Sequence, residues 1–350
     1  MKALLLSDYK QLTVTDLDTP YPQPNEVIVK VAACGICGSD VHGYDGASGR
    51  RIPPIVMGHE AAGTISELGA DVSGFKIGDR VTFDSTVYCG ECPFCRRGEV
   101  NLCDNRQIVG VSCSEFKRSG AFAEYVAVPA RILYRLPDAL SFPEAALLEA
   151  VAVALHGVRV ADIRGGESAL VVGAGMIGLL LLQAAHVAGC SPIYVADIDS
   201  TRLVLAREMG ASETLKLSGD SLSQAILERT GGGGVDVVFE AVGRAETVAA
   251  AIDCVRKGGT VALVGNIARD VSLPLQRIVT RQIRLQGSCA SAGEYPECID
   301  LMARGAVNVD PFISAVAPLS EGPAWFDRLH RRETGLVKVI LKPYMADNTQ

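Results

Sequence analysis

The sequence predicts an α/β protein, with a mainly-β domain and a second domain built as a doubly wound parallel sheet. Two observations carry this. Residues 1–150 consist of short β-type runs broken by Gly and Pro, and residues 151–285 alternate unbroken apolar strands with helices. In the first zone "MKALLLSD" reads as an opening strand, because its three-Leu run is too short for the core of a signal peptide. "EVIVKVAAC", "AAGTISELG", "DRVTF" and "GAFAEYVAVPA" follow at short intervals with turn residues between them. In the second zone "SALVVGAG" is a strand ending in Gly and "MIGLLLLQAAHVAGC" is a helix. "PIYVADID" is the next strand, and "STRLVLAREMGA" a helix with Ser200 as its cap. "VDVVFEAVG" and "GGTVALVG" add buried-type strands. The third zone, from 286, ends in the alternating strand "GLVKVILKP". It is expected to return to the first domain, so that 1–150 and 286–350 form one unit around 151–285.

Composition narrows the function. A chain of 350 residues with 48% hydrophobic and 21% charged residues has the profile of a soluble globular protein of two domains. "ALLEAVAVAL" and "GLLLLQAAHVAG" are too short to span a membrane and carry Glu149, Gln183 and His186, so a cytoplasmic protein is expected. A net charge of -7 lacks the clustered Lys and Arg that nucleic acid requires. Eleven cysteines without a secretion signal argue for metal ligands and buried thiols over disulfides.

The Gly run "VVGAGMIG" places Gly173, Gly175 and Gly178 in G-x-G-x-x-G spacing between a strand and a helix, and Asp197 lies 19 positions beyond Gly178 at the end of the next strand. In that context the pattern reads as a Rossmann dinucleotide site. The glycines permit a tight turn, close backbone approach to a pyrophosphate and close helix packing. A carboxylate at Asp197 accepts from ribose hydroxyls and repels a 2′-phosphate, which favours NAD over NADP. Arg202, five residues later, is expected to cover the adenine face.

Two cysteine groups remain. "YCGECPFCRRGEVNLCD" holds Cys89, Cys92, Cys95 and Cys103, compatible with a zinc finger, a redox pair, a disulfide staple or a metal knot that shapes a loop. The finger reading is weakened by charge, since Arg96 and Arg97 are set against Glu91, Glu99 and Asp104. "CGICGSDVHG" supplies Cys34, Cys37, Ser39, Asp40 and His42, and "PIVMGHEAAG" supplies His59 and Glu60. Thiolate, imidazole and carboxylate together suit zinc. Cys34 reads as a buried small residue, and Cys113, Cys190, Cys254, Cys289 and Cys298 as core or surface thiols. His156 and His186 read as structural, and His330, beside Arg331 and Arg332, as part of a solvated helix face.

"GHE", two residues, Gly63, five residues, Gly69, two residues, Val72 resembles the zinc signature of the medium-chain alcohol dehydrogenase family. "CGICGSDVHG" before it and "GAGMIG" after it keep the family's order, and the likeness runs from "MKALLL" to "GLVKVILKP". It looks nearest to the polyol branch, the sorbitol (L-iditol) and galactitol-phosphate dehydrogenases. The resemblance implies a GroES-like catalytic domain, a Rossmann NAD domain, two zinc ions per chain and a homodimer or homotetramer. By position, Cys37, His59 and Glu60 match the catalytic zinc ligands. Glu149 matches a carboxylate that ligates the zinc or holds its water. Ser39 and His42 match the proton relay, and Cys89, Cys92, Cys95 and Cys103 a structural zinc lobe. Gly173, Gly175, Ile177, Gly178, Asp197, Arg202, Val264, Gly265, Ser288 and Ala290 match NAD contacts. The implied reaction takes a polyol or secondary alcohol to a ketose or ketone, with hydride passing to NAD.

The sequence departs from the branch in places. Where sorbitol dehydrogenases carry an Arg–Tyr pair, it reads "QGSCASAGEYP", with Ser288, Cys289 and Ala290 small. Tyr44 lies one place later than the Tyr that follows the relay His in the branch. Arg50 and Arg51 read as a solvated loop, or as holders of a substrate phosphate. A sugar-alcohol-phosphate dehydrogenase and an L-threonine 3-dehydrogenase are therefore alternatives on the same scaffold, and a catalytically dead NAD- and zinc-binding protein is a non-enzyme alternative. Intact Cys37, Ser39, His59 and Glu60 argue against the last.

Overall fold

In the computed structural model, which describes residues 1–345, the chain divides into two compact units. One is Met1–Glu149 with the chain from Ser291 onward, and the other is Ala150–Ala290.

The first unit is organised by the strand Glu26–Gly35, whose near-continuous burial marks it as the middle of its sheet. Glu60–Leu68 pairs with it antiparallel on one side, and Lys338–Lys342 and Tyr125–Pro129 also pair with it antiparallel. Arg80–Phe83 and Leu133–Arg135 extend the sheet beyond Glu60–Leu68, and Ile313–Pro318 beyond Lys338–Lys342. The late segment "GLVKVILKP" thus supplies a strand to the first unit. The opening strand Lys2–Asp8 forms a hairpin with Gln11–Asp16 outside this sheet. The core beneath is closed by Phe122, Phe326, Met57 and Leu4, all with no exposed surface. "GAFAEYVAVPA" is a strand only over Tyr125–Pro129.

The second unit is a parallel sheet in the order Glu213–Leu215, Ile193–Ala196, Ala169–Val172, Val235–Glu240, Val255–Leu263, Arg284–Gly287. Strand order reverses at Ala169–Val172, so the loop after that strand sits at the switch point where such sheets bind ligands. The helix Met176–Val187 follows at once, and Leu179–Leu182 are buried in it. Asp199, not Ser200, caps the next helix. Its carboxylate accepts from Thr201 N at 2.8 Å, and Ser200 is the first helical residue. No described helix is long and apolar enough to cross a membrane.

Gly178 sets how closely the helix can approach the strand, because a Cβ there would lie 1.8 Å from Gly173 O. The carbonyl cannot move without unmaking the turn. Gly178→Ala is therefore expected to cost about 1–3 kcal/mol or more of stability, read as a fall in the unfolding midpoint; an unchanged midpoint would contradict the packing described.

Candidate active site

Three scattered ligands meet at one end of the central strand of the first unit. The register sets Gly35 opposite Glu60 on one side and Ile340 on the other. The chain leaving Gly35 turns at Cys37, which is the N-cap of the short helix Gly38–Tyr44. His59 and Glu60 open the neighbouring strand. As a result a ligating atom from each of Cys37, His59 and Glu60 lies within 4.8 Å of the others, with His59 and Glu60 buried. A Cβ on Gly35 would stand 2.4 Å from Glu60 Oε2, so only glycine leaves room for that carboxylate.

The carboxylate does not stand alone. Lys338 Nζ donates to Glu60 Oε2 at 2.6 Å, to Oε1 at 2.8 Å and to Ile36 O at 3.0 Å, and both side chains are almost wholly buried. Pairing offsets the desolvation that either charge alone would suffer. Burial works against the charged form of Lys338, but Glu60 and Cys37 override it and hold the ammonium above its ordinary range.

Asp40 lies behind the imidazole. It occupies the third position of the Gly38–Tyr44 helix, and its Oδ2 accepts from Cys37 N at 3.3 Å. Its Oδ1 is 3.4 Å from His59 Nδ1 and accepts from Arg51 Nη2 at 2.9 Å. Burial alone would raise its carboxyl, but His59 and Arg51 beside it hold it well below the usual carboxylate range. Ser39 Oγ, on the same helix, is 3.5 Å from His59 Nε2. His42, one turn further, is exposed.

Glu149 comes from the first turn of the helix Leu148–Val160 and accepts from Ser85 Oγ at 3.2 Å. It stands outside the group formed by Cys37, His59 and Glu60. Burial pushes its carboxyl up to about 7, with Glu60 and Asp84 adding to the rise and His59 opposing it. Asp84, held by Thr86 N at 2.8 Å and Ser291 Oγ at 3.2 Å, is pushed by burial to about 6.

These residues fit a zinc ion. A thiol, an imidazole and a carboxylate converge within reach of one ion, and the surrounding acidic groups favour a cation. The four-cysteine segment fits a second ion. One ligating atom from each of Cys89, Cys92, Cys95 and Cys103 lies within 4.8 Å of the rest. Cys92 caps the helix Pro93–Arg96, and Cys92 N and Cys89 N point at Cys89 Sγ (3.4 Å) and Cys103 Sγ (3.2 Å). Those N–H groups favour thiolates, and backbone bonds from Glu91 and Cys92 lower the Cys89 thiol to about 6. All eleven cysteines are free thiols, so this is no disulfide staple.

In the second unit Gly175 is the N-cap of Met176–Val187 and has nothing within 4 Å of where a Cβ would stand, while Gly173 has φ +98°. A free helix N-terminus over open space is an anion cradle. Asp197 folds back over the loop, accepting from Ala174 N at 2.6 Å and Asp199 N at 2.8 Å, with Arg202 Nη1 3.9 Å from its Oδ2. Ile177, in the first turn of the helix, is half-buried. Val264 N and Gly265 N both donate to Glu240 O, and Ser288 N donates to Leu263 O. These residues, with Ala290, follow the same C-terminal ends of the strands as the glycine loop. The residue set fits a dinucleotide.

Some sequence expectations are corrected. Arg51 is not on a solvated loop: it is 4% exposed and paired to Asp40. His330 is half-buried, with Nε2 2.9 Å from Asp45 Oδ2 and its ring edge-on to Tyr44 at 5.8 Å. Tyr44 is buried and donates to Asp327 Oδ1 at 2.9 Å, so it serves the core. Sequence reasoning gave no role to Asp40, Ser85, Asp84 or Lys338. Only Asp40 carried a signal, its place three residues after Cys37 at the start of a helix.

Known proteins are similar to this chain. Residues 23–138 match the family model described as alcohol dehydrogenase GroES-like domain, and residues 177–304 the one described as zinc-binding dehydrogenase. D-arabitol-phosphate dehydrogenase of Enterococcus avium is 35% identical over 95% of this chain and 94% of its own. Sorbitol dehydrogenase of Bacillus subtilis (strain 168) is 31% identical over 98% of this chain and 97% of its own. A zinc-binding dehydrogenase of Sinorhizobium meliloti 1021, solved bound to NADP, superimposes with a TM-score of 0.88 at 35% identity over 98% of this chain and 99% of its own. The chain belongs to the zinc-dependent medium-chain alcohol dehydrogenase family, in its polyol dehydrogenase branch, and is an oxidoreductase that uses zinc and a nicotinamide dinucleotide.

Proposed function

We propose that this enzyme oxidises a polyol or related secondary alcohol to a ketose or ketone with NAD, and works as a cytoplasmic homo-oligomer, a dimer or a tetramer. The observation that carries the reading is the convergence of Cys37, His59 and Glu60 beside the hydroxyl of Ser39. In this reading residues 1–150 and 286–350 are the catalytic domain and 151–285 the NAD domain. The division of the chain after Glu149 and before Ser291 supports that assignment. Its free thiols suit a reducing compartment.

Bound at Cys37, His59 and Glu60, zinc would supply Lewis acidity toward the substrate hydroxyl, and NAD at the glycine loop would take the hydride. The chain's own residues do the rest. Ser39 Oγ takes the hydroxyl proton as it gives up its own O–H proton, and exposed His42, one turn along the same helix, passes a proton on to solvent. Asp40 fixes the ring of His59 through its Nδ1 edge. Lys338 holds Glu60 at the site through their buried ion pair. Glu149, steadied by Ser85, orients a water or a further substrate hydroxyl. Cys89, Cys92, Cys95 and Cys103 close around a second zinc that shapes the lobe and has no open position for chemistry.

A polyol phosphate is the second reading, supported by the D-arabitol-phosphate dehydrogenase among the relatives. Against it, Arg51 is engaged with Asp40, leaving only exposed Arg50 of that pair of cations.

NAD reduction measured over C4 to C6 polyols, their phosphates and threonine is expected to be fastest with an unphosphorylated polyol; a preference for a phosphate would move the assignment to the second reading. Asp197→Ala is expected to bring kcat/KM with NADP closer to that with NAD, and a wild type that already prefers NADP would refute the role of Asp197. Lys338→Met should leave Glu60 buried without a counter-charge and cost about 3 kcal/mol or more, with recovery in the Lys338→Met, Glu60→Gln double variant. A loss under about 1 kcal/mol would contradict the pairing.

A further inference from the structure

We propose that Arg51 is a positioning residue that couples the zinc-ligand His59 to the proton-accepting Ser39, a role that rests on the zinc reading above. Its guanidinium reaches both. Nε and Nη2 donate to Asp40 Oδ1 at 3.1 and 2.9 Å, and that same oxygen lies 3.4 Å from His59 Nδ1. Nη2 also donates to Ser39 Oγ at 3.2 Å, while Nη1 is anchored on Arg50 O at 3.1 Å. One planar fork thus spans the carboxylate and the hydroxyl of two adjacent residues of one helix. Arg is suited to this because its donors are held in fixed geometry, whereas a lysine ammonium is a single point on a flexible stem.

Two consequences follow for the site. The carboxylate behind His59 is pinned from two sides, by Arg51 on Oδ1 and by Cys37 N on Oδ2, so the imidazole has a fixed partner. At Ser39, accepting from Arg51 uses one lone pair and directs the O–H away from the guanidinium. The hydroxyl is thereby aimed by a residue outside its own helix.

The fold makes room for this side chain at a cost to the helix. Gly43 lies in the helix Gly38–Tyr44, where glycine is unfavourable. A Cβ at that position would stand 2.0 Å from Arg51 Cγ and 2.7 Å from its Cβ. The stem of Arg51 occupies the slot that Gly43 leaves. Its backbone is fixed as well, for Arg51 bridges Ser112, and Ile52 N donates to Ser112 O at 2.9 Å. A residue serving only to neutralise Asp40 would not need the bond to Ser39.

The test uses zinc-loaded enzyme. A chromogenic chelator reads the rate of zinc release, and steady-state kinetics read kcat and KM, in wild type, Arg51→Met, Arg51→Lys and Gly43→Ala, and in Ser39→Ala with and without Arg51→Met. Arg51→Met is expected to release one of two zinc ions about 10- to 100-fold faster and to lower kcat on that scale, with the other ion and the KM for NAD unchanged. Arg51→Lys should recover part of both. The loss in kcat from Arg51→Met should be smaller in the Ser39→Ala background, because part of the effect runs through that hydroxyl; a merely structural role would give the same loss in both. Should Arg51→Met fail to fold, Gly43→Ala, which displaces the stem, should still speed release of the same ion. Wild-type release rates in all three variants, or equal kcat losses in the two backgrounds, would overturn the proposal. A wild type that holds only one zinc would overturn the zinc reading itself, and this proposal with it.

Discussion

The buried pair between Glu60 and Lys338 is the interaction on which the catalytic unit depends. It ties together the starts of two strands that are 278 residues apart in sequence and flank the end of the same central strand. A metal ligand with a net charge cannot simply be buried, because an unpaired carboxylate would take up a proton or draw in water. Lys338 removes that difficulty. Glu60 is held in place, and the same ammonium fastens the turn through Ile36 O just before Cys37. The ligand set and the sheet are therefore stabilised by one contact.

Charge balance extends outward from that pair. Asp40 and Arg51 form a second buried pair beside His59 and Ser39. Four acids near the site have stated partners: Glu60 has Lys338, Asp40 has Arg51, Glu149 has Ser85 and Asp84 has Ser291. Glu149 and Asp84 have only neutral partners among these, and these two are the ones pushed upward by burial. The second unit solves a different problem, how to present a backbone to an anion. It does so with a glycine turn and a helix that packs within contact of its own strand.

Local patterns in the sequence carried much of this. The apolar run "SALVVGAG" and the spacing of Gly173, Gly175 and Gly178 describe a strand, turn and helix within about a dozen residues, so the pattern and the object coincide. The four cysteines from Cys89 to Cys103 likewise form a local cluster. What could not be read were relations set by register. "GRRIP" looks solvated because two adjacent arginines are usually exposed, yet a slot opposite Gly43 buries the second of them. "GLVKVILKP" alternates as a strand should, but nothing within it says that its first lysine faces a carboxylate from residue 60. His330 looked exposed beside two arginines for the same reason, until Asp45 and Tyr44 met it from the short helix and its end. Charged residues placed by long-range pairing leave no periodic trace.

The most direct test of the account is anomalous X-ray scattering at the zinc edge from crystals of the enzyme. Two peaks per chain are predicted, one touching Cys37, His59 and Glu60 with Asp40 behind the imidazole, and one enclosed by Cys89, Cys92, Cys95 and Cys103. A single peak at the four cysteines, with no metal between Cys37 and His59, would contradict it.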